Sequence, residues 1–474
     1  TPIYYPSGKP HLGSVYTTIA ADILARWHKL LGEDVFFLTG TDEHTKKVLV
    51  EADKSGKNVE DYLNEITNIF KKVFRDLDIE YDRFIRTSDD DHKRFVQYVL
   101  EIINKKGDIY EGIYEGYYCG ECEAYYTETE VPELKCPVHE KSLQLLKEKS
   151  YFFKLSKYQN KLLNFYKNHP DFISPEYRKS EIINRVKEGL RDLSISRTNT
   201  DWGIEIPFDK KHRVYVWFDA LNNYLTGVGV LDDKKNFKRF WPANLHIVGK
   251  DILWFHSVIW PAILMSAGYD IPKMIYAHGW LTSNEKKIGK SAGNTDDIQE
   301  LIKKYGSNSI RYFLFRVTPF GEDGEYSEKN LIDRNNELAN KLGNLVSRVS
   351  SLAEKNSIEK TNNKLLVKLD LKKISKLIDN LEFDKALNEI FAFVDICNEY
   401  IQNEKPWETG DKKILYELVD SIKVIAILLW PFIPETSEKI ADKFGFKISY
   451  DQIKNPIKIN KVKKGENLFK KFEL

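Results

Sequence analysis

The spacing of apolar positions changes along the chain, and each change marks a different piece of architecture. After Tyr4-Tyr5 and the loop Pro6-Ser7-Gly8-Lys9-Pro10-His11-Leu12-Gly13-Ser14, the positions Ile19, Ala20, Ile23, Leu24 and Trp27 keep helical spacing and predict a helix. The run Asp34-Val35-Phe36-Phe37-Leu38-Thr39-Gly40 predicts a buried strand, with Thr41-Asp42-Glu43-His44 at its carboxyl end. Strand, loop, helix and strand in this order predict a parallel α/β sheet, in which ligands sit beyond the carboxyl ends of the strands. Asp42 and His44 therefore fall where chemistry is expected. From about Gly107 the pattern turns to short Tyr-rich strands, Tyr110-Glu111-Gly112-Ile113-Tyr114-Glu115-Gly116-Tyr117-Tyr118, which read as an insertion. Strand patterns return at Arg213-Val214-Tyr215-Val216-Trp217-Phe218, Leu245-His246-Ile247-Val248-Gly249 and Lys273-Met274-Ile275-Tyr276-Ala277, and the parallel sheet resumes there. Beyond about Asn335 amphipathic stretches at 336–354, 364–379, 384–403, 412–430 and 435–444 predict a helical bundle.

A chain of 474 residues exceeds what one hydrophobic core supports, so several domains are expected. With 42% hydrophobic and 30% charged residues, neither disorder nor a membrane protein fits. The longest uncharged apolar stretch, 424–434, is too short to span a bilayer. Lysines and arginines (72) almost balance aspartates and glutamates (71), so a nucleic-acid partner would have to be met by local patches and shape. Three of the four cysteines are clustered, unlike a secreted disulfide framework, and no signal peptide opens the chain, so a cytoplasmic location is expected.

Three features carry chemistry. The loop around His11-Leu12-Gly13-Ser14 opens a helix whose N–H groups and dipole can receive phosphate, while Gly13 permits close approach of a nucleotide. Standing alone, it is equally an ordinary strand-to-helix turn. Lys286-Lys287-Ile288-Gly289-Lys290-Ser291-Ala292-Gly293-Asn294 combines lysines with small residues, which suits a polyphosphate leaving group; by itself it reads as a solvated basic loop. Cys119-Gly120-Glu121-Cys122 and Cys136-Pro137-Val138-His139, with 13 residues between them, have zinc-knuckle spacing, and three thiolates with one imidazole close a structural tetrahedral site. Cys397, among apolar neighbours on a helix, reads as inert core.

The two loops, taken in this order on a parallel sheet, resemble the HIGH and KMSKS signatures of the class I aminoacyl-tRNA synthetases. Within that class the whole chain is similar to the methionyl-tRNA synthetases. The resemblance rests on Tyr4-Tyr5-Pro6, Leu38-Thr39-Gly40-Thr41-Asp42-Glu43-His44, Val214-Tyr215-Val216-Trp217-Phe218-Asp219-Ala220, Gly249-Lys250-Asp251-Ile252 and Ala277-His278-Gly279-Trp280. Two positions depart from the signatures: Ser14 stands where a second His is usual, and Ile288-Gly289 where Met-Ser is usual. A short neutral hydroxyl at position 14 predicts a weakened ATP site that Ser14→His would strengthen.

The resemblance implies a Rossmann-like parallel-sheet catalytic domain (1–107 and 211–278), split by a zinc-binding connective insertion (108–210). A KMSKS-like loop and stem-contact region (279–334) and an all-α anticodon-binding bundle (335–474) would follow. It implies a ligase that activates methionine with ATP and magnesium and charges methionine tRNA, initiator and elongator. His11, Lys287 and Lys290 would be catalytic; with Gly13, Ser14 and Ser291 they would bind ATP. Asp42 would hold the methionine ammonium group, and Ile3, Tyr5, Trp217, Ala220, Leu221, Tyr224, Ile252, His256 and Trp260 would line the side-chain pocket, whose aromatic edges suit a polarizable thioether. Taken singly, Trp217 and Trp260 read as core packing. Arg197 would be a further active-site cation, and Cys119, Cys122, Cys136 and His139 would hold one structural zinc. Asn340, Asn344 and Arg348 recur every four residues on one helix face and, with Trp407, would read the anticodon; without the resemblance they read as a polar face and a core tryptophan. The insertion is shorter than known editing insertions, and an end at Leu474 without a dimerising domain implies a monomer. Two alternatives remain at this level: a tRNA-binding paralogue without catalysis, and a synthetase for another apolar amino acid.

Overall fold

The structure, a computed structural model, describes the chain except for residues 120–123, 127–130, 132, 139, 284–285, 289–295, 459–461 and 474; of Ala124, Tyr125, Leu146, Lys286 and Lys287 it describes the backbone alone. Cys122, His139, Lys290 and Ser291 thus lie outside the described residues, as does the side chain of Lys287.

Parallel pairing dominates the sheets of the first part of the chain outside the span 108–210. Leu38–Thr41 pairs with Arg83–Arg86, and Tyr4 bridges Thr41 in the same sense, so the opening segment lies beside Asp42. A second parallel sheet has the order His246–Gly249, Ile275–His278, Ile173–Ser174. The span 108–210 therefore holds a strand of the catalytic sheet as well as its own antiparallel one. That antiparallel sheet orders Ala124–Tyr126, Ile109–Cys119, Gln144–Phe153 and Leu193–Ser194, with a ladder running from Ile109↔Phe153 to Tyr118↔Gln144.

One expected strand is largely a helix. Asp209–Val214 is extended, Tyr215 turns the chain, and Val216–Leu221 is helical. Every residue of that helix is buried, so no polar face interrupts the apolar run and its period carries no information. The strand expected over 34–40 shortens to Leu38–Thr41.

Past Glu328 the regular elements among the described residues are all helices. Glu328–Leu338 passes through the wide turn Ala339–Gly343 into Asn344–Lys355, and Leu371–Asp379, Phe383–Glu404, Lys412–Leu429 and Pro434–Phe444 follow. Lys412–Leu429 is the central helix of the bundle, buried from Ile414 to Leu429. Its charged residues are paired as burial demands: Lys423 donates to Asp420 (2.7 Å), and Tyr400 donates to Glu417.

One hydrophobic core runs from the first helix, Leu12–Leu30, into the bundle; the other lies beneath Trp217, Tyr224 and Trp260 and reaches the insertion. The first is crossed by a buried polar junction. Arg311 Nη2 donates to Asp22 of the first helix (2.6 Å) and to the Pro431 carbonyl (2.7 Å), Nε to the Phe432 carbonyl (2.8 Å) and Nη1 to the Leu77 carbonyl (3.0 Å). Among the described residues no helix is long and apolar enough to cross a membrane.

Candidate active site

His11 caps the first helix in extended conformation, and its Nδ1 accepts from the Gly13 N–H (3.1 Å), which leaves the ring proton on Nε2. Ser14 closes the cap reciprocally: its Oγ accepts from the His11 N–H (3.0 Å) and donates to the His11 carbonyl (2.8 Å). Ser14 is buried, so its hydroxyl fixes the cap from beneath. The first helical turn carries no acidic residue, and the positive end of the dipole is not neutralised from within. A Cβ on Gly13 would lie 3.0 Å from the His11 ring and 3.8 Å from the Ile288 carbonyl. The two signature segments, far apart in sequence, thus meet at this glycine. Ile288 is buried and donates to the Leu281 carbonyl (2.8 Å), while Lys287 pairs with Thr282 on a short antiparallel strand. Lys9 and Asp297, which caps the helix Ile298–Tyr305, join the flanks of the two segments at 3.0 Å.

Asp42 is buried just past the strand Leu38–Thr41, and its backbone N–H donates to the Tyr4 carbonyl (2.8 Å). Trp217, Ala220 and Leu221 lie on Val216–Leu221, which His44 meets at Asp219, and Tyr224 lies on the next short helix, with Ile252, His256 and Trp260 following the strand His246–Gly249. His256 sits in a wide turn in which the Trp260 N–H bonds to the Phe255 carbonyl, a departure from α-geometry that often marks functional positions. Trp217 stacks on Phe255 with centroids 3.8 Å apart and meets His256 edge-on at 6.2 Å; Tyr224 lies 6.1 Å from Trp260. The His256 Nδ1–H donates to the Ile252 carbonyl (3.0 Å), so Nε2 accepts from the Tyr224 hydroxyl (2.8 Å). Burial pushes His256 down to about 4 and Tyr224 well above the ordinary phenol range, so the cage is uncharged at neutral pH. Ile3, Tyr5 and Ile252, half-buried, pack against the same core.

A buried charge cluster behind this cage escaped the sequence reading. Asp219, on the same helix as Trp217, accepts from His44 Nδ1 and from His92 Nε2, each at 2.7 Å. Burial would raise its carboxyl, but the two histidines outweigh burial and hold it below the usual range. The signal was a lone carboxylate inside an apolar run, which is buried only when paired. Glu43 is likewise buried and accepts from Thr41 (2.8 Å) and Arg86 (2.7 Å). Arg197 donates to Ser194 Oγ (2.7 Å) and the Ser196 carbonyl (2.6 Å) and lies over the Tyr215 ring at 4.3 Å.

This arrangement has close relatives. The family model described as class I tRNA synthetases (M) matches residues 1–145 and 135–350, and an anticodon-binding domain of tRNA ligase matches 366–473. A methionine–tRNA ligase from Caldanaerobacter subterraneus is 42% identical across all of this chain and 78% of its own length, and one from Rickettsia conorii is 42% identical across all of this chain and 98% of its own. The chain belongs to the class I methionyl-tRNA synthetases. A Mycobacterium tuberculosis methionyl-tRNA synthetase bound by methionyl-adenylate superposes with a TM-score of 0.94 at 37% identity, covering 99% of each chain. The apo form of the same enzyme gives 0.86 at 34% identity, covering 100% of this chain and 99% of that one.

The remaining candidate residues of this family member fall into two groups. Asn340, Asn344 and Arg348 are exposed along one face. The Arg348 guanidinium lies 5.5 Å over the ring of Trp407, which is 43% exposed and so is not a core residue. A second wide turn, in which the Asn344 N–H bonds to the Ala339 carbonyl, falls at this face. In the insertion, Cys119 and Cys136 are both buried. Cys136 opens a tight turn closed by the Glu140 N–H to its carbonyl (2.8 Å), and its sulfur lies 3.7 Å from the Tyr126 hydroxyl, on the strand that pairs with the one ending at Cys119.

Proposed function

We propose that the chain activates L-methionine with ATP, giving methionyl-adenylate and pyrophosphate, and passes methionine to the terminal adenosine of initiator and elongator methionine tRNA. The observation that carries this reading is the meeting of Ile288 with Gly13 in a chain that also holds a neutral aromatic cage and a buried Asp42. Asp42 pairs with the ammonium group of methionine, and the thioether enters the cage of Trp217, Tyr224, His256 and Trp260, with Ile3, Tyr5, Ala220, Leu221 and Ile252 completing its walls. The methionine carboxylate attacks the α-phosphorus, and the developing charge meets His11, the positive end of the first helix, and the loop residues Lys287, Lys290 and Ser291. Magnesium bound with ATP would neutralise polyphosphate charge. Alignment and charge stabilisation supply the rate, with no covalent enzyme intermediate. Arg197 adds a cation on the side of the insertion.

Cys119, Cys122, Cys136 and His139 would hold one structural zinc; two buried thiols, one at the end of a strand and one in a turn beside Tyr126 of the adjoining strand, suit a closed metal site. The exposed Trp407 offers a π-face to an unstacked anticodon base, with Asn340, Asn344 and Arg348 beside it as hydrogen-bonding groups. The test is pyrophosphate exchange across a panel of amino acids. Exchange with methionine alone supports the reading; exchange driven by another amino acid, or none, overturns it.

A further inference from the structure

Asp219 and His44 have the geometry of an oriented acid–base pair. His44 Nδ1 is committed to Asp219 at 2.7 Å, and the other carboxylate oxygen is committed to His92 at 2.7 Å. Asp219 is fully buried and His92 with it, so the imidazole of His44 is held by a rigid anchor and presents Nε2 as its remaining ring nitrogen. His44 lines a cavity of about 30 Å³ whose walls also include Lys46, Tyr118, Arg197, Thr200 and Trp202. This space suits a water molecule or a hydroxyl group, and its charged walls are all basic. It lies at the junction of the insertion, which gives Tyr118, and the methionine cage, whose helix Val216–Leu221 gives Val216. His44 itself is two residues beyond Asp42.

We propose that His44 is the proton acceptor of the transfer step, with Asp219 and His92 as its positioning residues. This rests on the two-step reading given above. The ribose 2′-hydroxyl of the terminal adenosine attacks the carbonyl carbon of methionyl-adenylate, forming the ester bond, and its proton passes to His44 Nε2. The bond from that carbon to the bridging phosphate oxygen breaks, and AMP leaves with the electron pair. The imidazolium, stabilised by the Asp219 carboxylate, then gives its proton to solvent. Adenylate formation has no hydroxyl nucleophile and makes no use of this proton acceptor.

The decisive variant is His44→Asn, whose side-chain N–H can replace Nδ1–H toward Asp219 while the second ring nitrogen is lost. Two rates are measured on the full chain: methionine-dependent pyrophosphate exchange, and single-turnover transfer from preformed methionyl-adenylate to methionine tRNA. General-base catalysis typically contributes 10²–10⁴-fold, so transfer should fall by about 10²-fold or more while exchange changes by less than about threefold. A parallel loss of both rates would show that His44 only braces the Asp42 segment, and an unchanged transfer rate would show that another group takes the proton; either outcome overturns the proposal. Absence of methionine-dependent exchange in the unaltered chain would instead strike the two-step reading itself, so the two failures are distinguishable.

Discussion

Ser14→Ala tests the account of the helix cap most directly. The substitution removes two hydrogen bonds, from the His11 N–H (3.0 Å) and to the His11 carbonyl (2.8 Å), at a buried position. Loss of a helix cap costs about 0.5–2 kcal/mol, and two hydrogen bonds at roughly 1 kcal/mol each give a similar figure. Urea denaturation should therefore show a loss of about 1–2 kcal/mol. The same contacts hold the backbone of the residue whose ring is offered to the phosphates. If that free energy appears in the barrier to adenylate formation, exchange slows by roughly 5–30-fold, through kcat more than through the KM for ATP. Ser14→Asp separates the two effects: a carboxylate can still accept the His11 N–H and so spares stability, but it sets a negative charge beneath the polyphosphate and should depress exchange further. Ser14→His, which the signature alone would favour, places a large ring in a buried position and breaks the cap, so activity should fall. A Ser14→Ala protein as stable and as fast as the parent would refute this reasoning, and a faster Ser14→His protein would refute its last step.

Trp407→Ala should weaken tRNA charging by the equivalent of about 1–3 kcal/mol per stacked base while leaving tRNA-independent exchange near normal, because the ring is 43% exposed; comparable damage to both would mark a packing role. Metal analysis should find one zinc per chain, and Cys136→Ala should lose the metal and destabilise the insertion before methionine activation suffers. His256 sits at about 4 when folded against 6.5 when unfolded, so between those values only the unfolded chain takes up the proton and stability falls as the pH falls. From pH 7 to pH 5 this residue should remove about 2 kcal/mol at 1.36 kcal/mol per pH unit, and urea midpoints of His256→Gln should show a correspondingly shallower decline.

The sequence disclosed whatever short-range spacing controls. The bundle helices from 344 onward follow from helical period, and the strands at 246–249 and 275–278 from short apolar runs. The cage residues and the exposed Arg348–Trp407 pair were implied by the family resemblance and not by spacing, and the structure places Trp217 against His256, Tyr224 against Trp260 and Arg348 over Trp407. What spacing could not disclose depends on partners far away in the chain. Asp219 meets His92 across 127 residues and His44 across 175, and nothing local to any of them announces the other two. The same holds for Glu43 and Arg86, 43 residues apart. The Val216–Leu221 helix is not legible locally because burial on all sides erases periodicity. The cap role of Ser14 was not legible because the usual capping box has Ser or Thr at the cap and Glu three residues on; here His holds the cap position and Ser the later one.

Arg311 gives the two halves of the molecule a common fate. Its guanidinium is saturated by groups from the first catalytic helix, from the carbonyl at Leu77 and from the Pro431–Phe432 corner of the bundle, with no exposure to water. Separating the bundle would strand Arg311 and the Pro431 and Phe432 carbonyls, and a buried arginine deprived of partners is among the more expensive defects a protein can carry, on the order of 3–5 kcal/mol. Recombination between relatives that places a crossover between Arg311 and Pro431 therefore succeeds only where both parents present carbonyls at this corner in the same geometry. The parallel-sheet half and the helical half therefore share one stability, tied through a single saturated guanidinium.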